Sequence, residues 1–378
     1  MSLDLARWLR PGDGVAWTQA CGEPVPLVDA LLDQADAIGD LRAFIGPTWR
    51  DLAPPASLRM VSYGYIGRTG RIPGLEVIPC HHSRLPALFA DGTLPGDVVM
   101  IQVAPPDAAG RCSFGVGCDY IADAARHART VIAEVNERMP RTAGDSIAYD
   151  DIDVHVHTSR PLLEAPAARG ADTDAAIAAH VAALVKDGDT IQIGVGGLPD
   201  AILSALHDHR ELGVHSGMIS DGVLDMIQAG AVQGTAVVGA ALGSQRLFDA
   251  LEQIDVAFRP VSYTHAPATL AQVGRLCAIN SVIEVDLLGQ ANGEFAGDRG
   301  IGAVGGQVDF LRAAATGIVA LPAKRIVRAL RVPVSASRSD VDWVVTEHGA
   351  RSLRGLSDAA RRRAVLELAG GRLPDTEG

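Results

Sequence analysis

The stretch Leu9-Arg-Pro-Gly-Asp-Gly-Val-Ala-Trp17, then Pro24-Val-Pro-Leu-Val-Asp-Ala-Leu31, returns with one gap later in the chain. There it reads Val185-Lys-Asp-Gly-Asp-Thr-Ile-Gln-Ile193, then Pro199-Asp-Ala-Ile-Leu-Ser-Ala-Leu206. Each copy is a Gly-Asp turn, a short β-branched run, a bend containing glycine, and a helical pattern entered at or near proline. That order is strand, turn, helix. Two copies about 175 residues apart predict two related α/β domains, residues 1–170 and 171–378. The linker falls in 161–173, where Pro161, Pro166, Gly170 and an alanine-rich stretch break the periodicity.

Beyond the repeat, strand-like runs alternate with helical ones. The strands are Val98-Val-Met-Ile-Gln-Val103, Val131-Ile-Ala-Glu-Val135, Gly317-Ile-Val-Ala-Leu321 and Val341-Asp-Trp-Val-Val-Thr346, and helices are expected over 119–128, 174–185 and 357–368. This alternation predicts the α/β class: open, mostly parallel sheets covered on both faces. In such sheets ligands bind beyond the carboxyl ends of the strands.

Of the 378 residues, 48 % are hydrophobic and 21 % charged, so a large core can be buried. The net charge of −12 argues against a nucleic-acid binder, which needs clustered Lys and Arg. The five cysteines are scattered without a C-x-x-C pair, which favours a reducing, cytoplasmic setting. The first ten residues, with Asp4, Arg7 and Arg10, do not read as a signal peptide, and no apolar window predicts a membrane span.

The residue that stands out chemically is Glu284, a carboxylate in the apolar run Ala278-Ile-Asn-Ser-Val-Ile-Glu-Val-Asp-Leu-Leu-Gly289. Burying an ionised carboxylate there costs on the order of several kcal/mol unless donors meet it. The glycine-rich turn Gly302-Ala-Val-Gly-Gly-Gln307 follows 18 to 22 residues later. A desolvated carboxylate facing the N–H groups of Gly305 and Gly306 has the parts of a covalent acyl-transfer site. A second turn, Gly194-Val-Gly-Gly-Leu-Pro199, opens a helix after a strand, so Gly196 and Gly197 could hold an oxyanion. It equally suits a tight bend that merely needs glycine, and it lacks the Lys and Ser/Thr of a P-loop. Asp153, His155 and His157 share one strand face but read as an exposed surface, and no metal site is expected. Cys112 reads as a buried small residue.

Together Ile279-Asn-Ser-Val-Ile-Glu-Val-Asp-Leu-Leu-Gly-Gln290 and Gly302-Ala-Val-Gly-Gly-Gln-Val-Asp-Phe310 resemble the acetyl-CoA hydrolase/transferase family, its 4-hydroxybutyrate CoA-transferases above all. Matches continue through Gln102-Val-Ala-Pro-Pro-Asp107, Gly194-Val-Gly-Gly-Leu-Pro199, Ser220-Asp-Gly-Val223 and Val345-Thr-Glu-His-Gly349. The resemblance implies tandem α/β domains, Glu284 as nucleophile and Gly305-Gly306 against the reacting carbonyl. It also implies CoA contacts at Gly302, Glu347, His348, Gly349 and Tyr263. CoA is then a substrate, the other partners are an acyl-CoA and a small carboxylic acid, no tightly bound cofactor is needed, and a homodimer is expected. Two departures stand out. A Gly/Lys-containing insertion usual after Leu321-Pro322 is missing, and the 291–300 segment differs from the family pattern. CoA transfer is the expected activity. Acyl-CoA hydrolysis at the same glutamate is the alternative, and a non-catalytic acyl-CoA or small-acid sensor on this scaffold is the third.

Overall fold

Both copies of the repeat close their turns by the same device. In the computed structural model, which describes residues 3–371, Gly12 and Gly188 take positive φ of 92° and 77°. Each glycine turns the chain into a strand, Gly14–Trp17 and Thr190–Ile193 respectively. The Asp13 carboxylate accepts the Arg10 N–H at 2.7 Å, and the Asp189 carboxylate accepts the Lys186 N–H at 2.8 Å. Each aspartate also pairs at 2.7 Å with an arginine, Arg129 and Arg275, that stands one residue ahead of a later strand of its own sheet.

The chain divides into two compact units, residues 1–166 with 237–264, and residues 167–236 with 265–378. In the first unit a seven-stranded sheet runs in the order Val154–Thr158, Thr130–Asn136, Val98–Val103, Gly14–Trp17, Leu41–Phe44, Leu58–Ser62, Glu76–Val77. Every pairing in it is parallel. Val98–Val103 is buried along its whole length, as expected of a strand covered on both faces. Its one polar residue, Gln102, donates to the carbonyls of Gly22 and Glu23 and accepts from Asn136 at 2.8 Å. Helix Val25–Ile38 lays Leu27, Val28, Leu31 and Ala35 on a core with Trp17, Leu41, Met60 and Met100.

In the second unit a six-stranded sheet runs Gly213–Val214, Thr190–Ile193, Leu276–Ser281, Thr316–Ala320, Trp343–Thr346, Gly349–Ser352. Its pairings are parallel except the last, an antiparallel edge strand. In each unit the strand of the repeat lies between the next strand in sequence and a later one.

The observed units differ from the boundary expected at 170/171 in two respects: the first cut falls at 166/167, and a later segment crosses over. The 237–264 segment belongs to the first unit, because strand Val256–Phe258 pairs with Ala143–Gly144. The fit is tight, since a Cβ on Gly144 would meet the Phe258 carbonyl oxygen at 2.0 Å. The Gly239 carbonyl also accepts the N–H groups of Cys118 and Asp119, and Ser262 Oγ bonds Asp123 at 2.5 Å.

Asp119 gives the first unit a pH signature. It is buried at the start of helix Asp119–Ala125, and burial pushes its carboxyl up from 3.8 to about 7 against the pull of the Ile121 N–H and the Gln19 amide. The folded chain therefore keeps this proton over a range in which the unfolded chain has lost it. The stability this contributes is full below about pH 4 and is lost as pH rises towards about 7. Asp119→Asn keeps an oxygen for the Gln19 Nε2 donor, which now sits at 2.6 Å, and has no proton to release. Urea unfolding should weaken more in the wild type than in Asp119→Asn between about pH 4.5 and about pH 7.5. Parallel pH dependences would refute it.

Candidate active site

The parallel strands Thr190–Ile193, Leu276–Ser281, Thr316–Ala320 and Trp343–Thr346 end on one edge of the second unit's sheet. The loops that follow them, 194–197, 282–283, 321–322 and 347–348, therefore share the edge where such sheets bind ligands. Glu284 begins just past this edge. The apolar run 278–289 is not one strand. The Val282 N–H still bonds Ala320 O at 3.1 Å, but the Ile283 N–H bonds Asn292 O at 2.8 Å, so the ladder changes partner between them. Glu284–Asp286 is a separate strand, antiparallel to Ala291–Asn292 and parallel to Ile326–Val327. Val285 enters the core, which turns Glu284 and Asp286 to the other side.

The Glu284 side chain is half-buried, not enclosed by the hydrocarbon that flanks it in sequence. A donor meets it: Asn292 Nδ2 lies 3.2 Å from Glu284 Oε2. Asn292 is fully buried, and its Oδ1 accepts the N–H groups of Glu294 and Phe295, both at 2.9 Å. Those two donors settle which end of the amide is oxygen. Nδ2 also donates to Phe295 O at 2.7 Å. The buried Glu294 carboxylate accepts from Ser335 Oγ at 2.6 Å, and that hydroxyl oxygen in turn accepts the Gly293 N–H at 2.9 Å. Asn292, Glu294 and Ser335 escaped the sequence reading. The available signal was the Asn-Gly-Glu run at 292–294, inside the segment that departs from the family pattern.

The glycine turn closes on the same frame. The N–H groups of Ile301 and Gly302 donate to Glu294 O at 2.8 and 3.0 Å. Gly302 approaches so closely that a Cβ would lie 2.0 Å from Gly293 O. A Cβ on Gly293 would meet Gln307 Oε1 at 3.1 Å, and Gln307 Nε2 is buried with no hydrogen-bond partner among the described residues. Gly305 takes φ 55°, and Gly306 is the N-cap of helix Gln307–Ala313. Both flanks of Gly305-Gly306 thus pack beside Gly293, one residue after the partner of Glu284.

The other expected site residues are distributed as follows. Gly196 has φ 132°, and Gly197 packs on the linker, where a Cβ would lie 2.3 Å from Arg169 O. That approach accounts for the glycine at 197 by packing alone. Glu347 and His348 form the two-residue turn between Trp343–Thr346 and Gly349–Ser352, and Gly349 takes φ 135°. The Glu347 carboxylate accepts the Ala323 N–H at 2.7 Å, joining two loops of the ligand-binding edge. Tyr263 belongs to the first unit, outside the 171–378 domain expected for it, and the Arg259 guanidinium lies 4.7 Å over its ring.

The direct connection after Pro322 is a 3-10 turn, Ala323–Arg325, leading into strand Ile326–Val327 beside Glu284–Asp286. His155 stacks on Tyr149, and the Asp153 carboxylate accepts the Val131 N–H. Burial pushes the Cys112 thiol up to about 11, far from a nucleophilic thiolate. Among the described residues no three His, Cys, Asp or Glu side chains are grouped to hold a metal, and no helix is long and apolar enough to cross a membrane.

A mostly parallel α/β unit thus carries a carboxylate and a glycine turn past its strand ends, and comparison with known proteins identifies the family. The Acetyl-CoA hydrolase/transferase N-terminal domain matches residues 70–167 and the C-terminal domain matches residues 243–375. The chain belongs to the acetyl-CoA hydrolase/transferase family. It is 37 % identical over 390 residues to the 4-hydroxybutyrate coenzyme A transferase of Clostridium kluyveri, covering 94 % of this chain and 90 % of that protein. The structure of RipA from Yersinia pestis superposes with a TM-score of 0.87 at 30 % identity, over 97 % of this chain and 92 % of that one. The 4-hydroxybutyrate CoA-transferase of Porphyromonas gingivalis superposes with a TM-score of 0.79 at 32 % identity, with the same coverage of both chains.

Proposed function

We propose that this protein moves CoA between an acyl-CoA and a free carboxylic acid, with Glu284 as covalent nucleophile. One observation carries the reading. Glu284 stands half-buried beyond the strand ends with Oε2 held by Asn292, while among the described residues no hydrogen bond falls on Oε1. Family membership supports it, since the relatives compared above include CoA-transferases.

In the first step Glu284 Oε1 attacks the thioester carbonyl. The C–S bond breaks, CoA leaves as thiolate, and an acyl-glutamyl anhydride remains. The thiolate then attacks the Glu284 carbonyl carbon, releasing the first acid and leaving a glutamyl-CoA thioester. An acceptor carboxylate reverses both steps. The oxyanion at the substrate's acyl carbon faces the N–H groups of Gly305 and Gly306, and one oriented donor is typically worth about 3–4 kcal/mol. The 194–197 turn is assigned the acyl group, and the loops carrying Gly302, Glu347, His348 and Gly349 are assigned CoA. Tyr263 is assigned an outer CoA contact. Because thioester energy is conserved, neither ATP nor a metal enters the cycle. Short-chain or small dicarboxylic acids are the proposed substrates. The free state of all five cysteines fits a reducing cytoplasm, and the proposed assembly is a homodimer.

The decisive experiment is mass spectrometry after acyl-CoA is added and the adduct trapped with borohydride or hydroxylamine. A modification confined to the peptide bearing Glu284 is expected, and labelling at another acidic residue would overturn the assignment. The same incubation without acceptor acid separates transfer from hydrolysis. The donor's free acid should appear only stoichiometrically with enzyme, its CoA retained on Glu284, whereas continuous release of free thiol would make the protein a hydrolase.

A further inference from the structure

We propose that Arg325 binds the free carboxylic acid, holding its carboxylate beside Glu284 while Glu284 carries CoA. The inference rests on Glu284 as the nucleophile and names the group that receives the acid. Residues 310–339 hold six cations, Arg312, Lys324, Arg325, Arg328, Arg331 and Arg338, and no Asp or Glu, in a chain of net charge −12. Arg312 and Arg338 are engaged by Asp340 and Asp358. Among the described residues the side chains of Lys324, Arg325, Arg328 and Arg331 meet no hydrogen-bond or ion-pair partner, and all four are exposed.

Arg325 is the cation that strand pairing brings to Glu284. Val285 pairs with Ile326 and Asp286 with Val327 in parallel register, so one step back Arg325 stands opposite Glu284. Paired strands lie about 4.8 Å apart. Val285 and Ile326 are both fully buried, which leaves Glu284 and Arg325 on the outward side. The backbone that carries Arg325 is fixed. Its N–H closes the 3-10 turn Ala323–Arg325 on Pro322 O at 2.9 Å, and the Ala323 N–H is held by the Glu347 carboxylate at 2.7 Å. Because the insertion usual after Pro322 is missing, this turn leads straight from strand Thr316–Ala320 into Ile326–Val327.

The chemistry gives this cation a task. One negative charge travels through the cycle, from Glu284 to the departing thiolate and then to the released acid. At that stage Glu284 is a neutral thioester, and the acid's carboxylate is the only anion at the reacting centre. An acceptor acid enters the same state. One of its oxygens attacks the Glu284 carbonyl carbon, a C–O bond forms, the C–S bond breaks, CoA leaves as thiolate, and no proton moves. A guanidinium is suited to hold the other oxygen through charge-assisted hydrogen bonds. Among the described residues no ion pair joins Arg325 to Glu284, so the resting nucleophile does not occupy the cation.

The test starts from enzyme already carrying CoA on Glu284, mixed rapidly with acetate while acetyl-CoA is followed. In Arg325→Gln the acetate concentration that gives half the maximal rate should rise about 10- to 100-fold, with the maximal rate within about fivefold of wild type. Arg325→Lys keeps the charge and should recover most of that loss. Half-saturation unchanged in Arg325→Gln would overturn this proposal alone. Equal losses in the two variants would do the same, since they would owe nothing to charge. A variant that needs more acyl-CoA to charge Glu284, yet takes acetate like wild type, would assign Arg325 to the phosphates of CoA and sink the proposal. Failure to charge Glu284 in the wild type would instead remove the nucleophile, and this proposal with it. The Arg325 side chain is exposed and unbonded among the described residues, so thermal midpoints of both variants should match wild type.

Discussion

Replacing Glu284 with glutamine is expected to lower CoA transfer on the order of 10⁴- to 10⁶-fold while the protein stays folded. The amide is nearly isosteric and can turn its oxygen to the Asn292 donor, so the contact between the neighbouring strands survives. What disappears is the anionic oxygen proposed to attack the thioester. An amide oxygen is a far weaker nucleophile, and no anhydride forms. The measurement is acyl-CoA consumption with excess acetate, alongside the mass of the Glu284 peptide. Activity above about one hundredth of wild type would place the nucleophile elsewhere. A folded variant with neither activity nor adduct is the expected outcome.

Arg160→Ala is expected to destabilise the first unit by about 3–5 kcal/mol. Its guanidinium grips the fully buried Glu134 carboxylate with both oxygens engaged, Nε at 2.6 Å and a terminal nitrogen at 2.7 Å. The same side chain donates to Glu23 O at 2.8 Å. Without it the buried carboxylate keeps, among the described residues, only the Thr158 hydroxyl, at 2.7 Å. Replacing both charges with leucine should recover much of the loss, because no unpaired ion is left behind. Trp8, Trp17 and Trp49 lie in the first unit against only Trp343 in the second, so tryptophan fluorescence in denaturant reports mainly the right transition. A single variant as stable as wild type would show that the pair contributes nothing net.

The parts legible in the sequence are those encoded locally. A Gly-Asp turn before a β-branched run dictates its own geometry, so the strands at Gly14–Trp17 and Thr190–Ile193 could be read directly. Glu284 stood out because a carboxylate among valine and isoleucine demands an explanation. The partner change between Val282 and Ile283 could not be read, since one apolar pattern fits a long strand or two short ones. Asn292 was hidden for a related reason. An Asn-Gly pair reads as a loop, and only the antiparallel register Glu284↔Asn292 turns its amide into a donor. The exchange of 237–264 into the first unit depends on Phe258 pairing with the distant Gly144, which no local window contains.

That exchange has a consequence for how the polypeptide is made. Synthesis runs from the amino terminus, and domains generally fold as they emerge. Here the first unit cannot finish when Pro166 leaves the ribosome, because the strand that covers Ala143–Gly144 has not yet been translated. By the time Thr264 emerges, the opening stretch of the other unit, 167–236, is already outside and waiting for its own missing strands. The nascent chain therefore carries a seven-stranded sheet with all its strands, 14–158, beside a small sheet that waits for Val256–Phe258, while the second unit's sheet closes only with Gly349–Ser352.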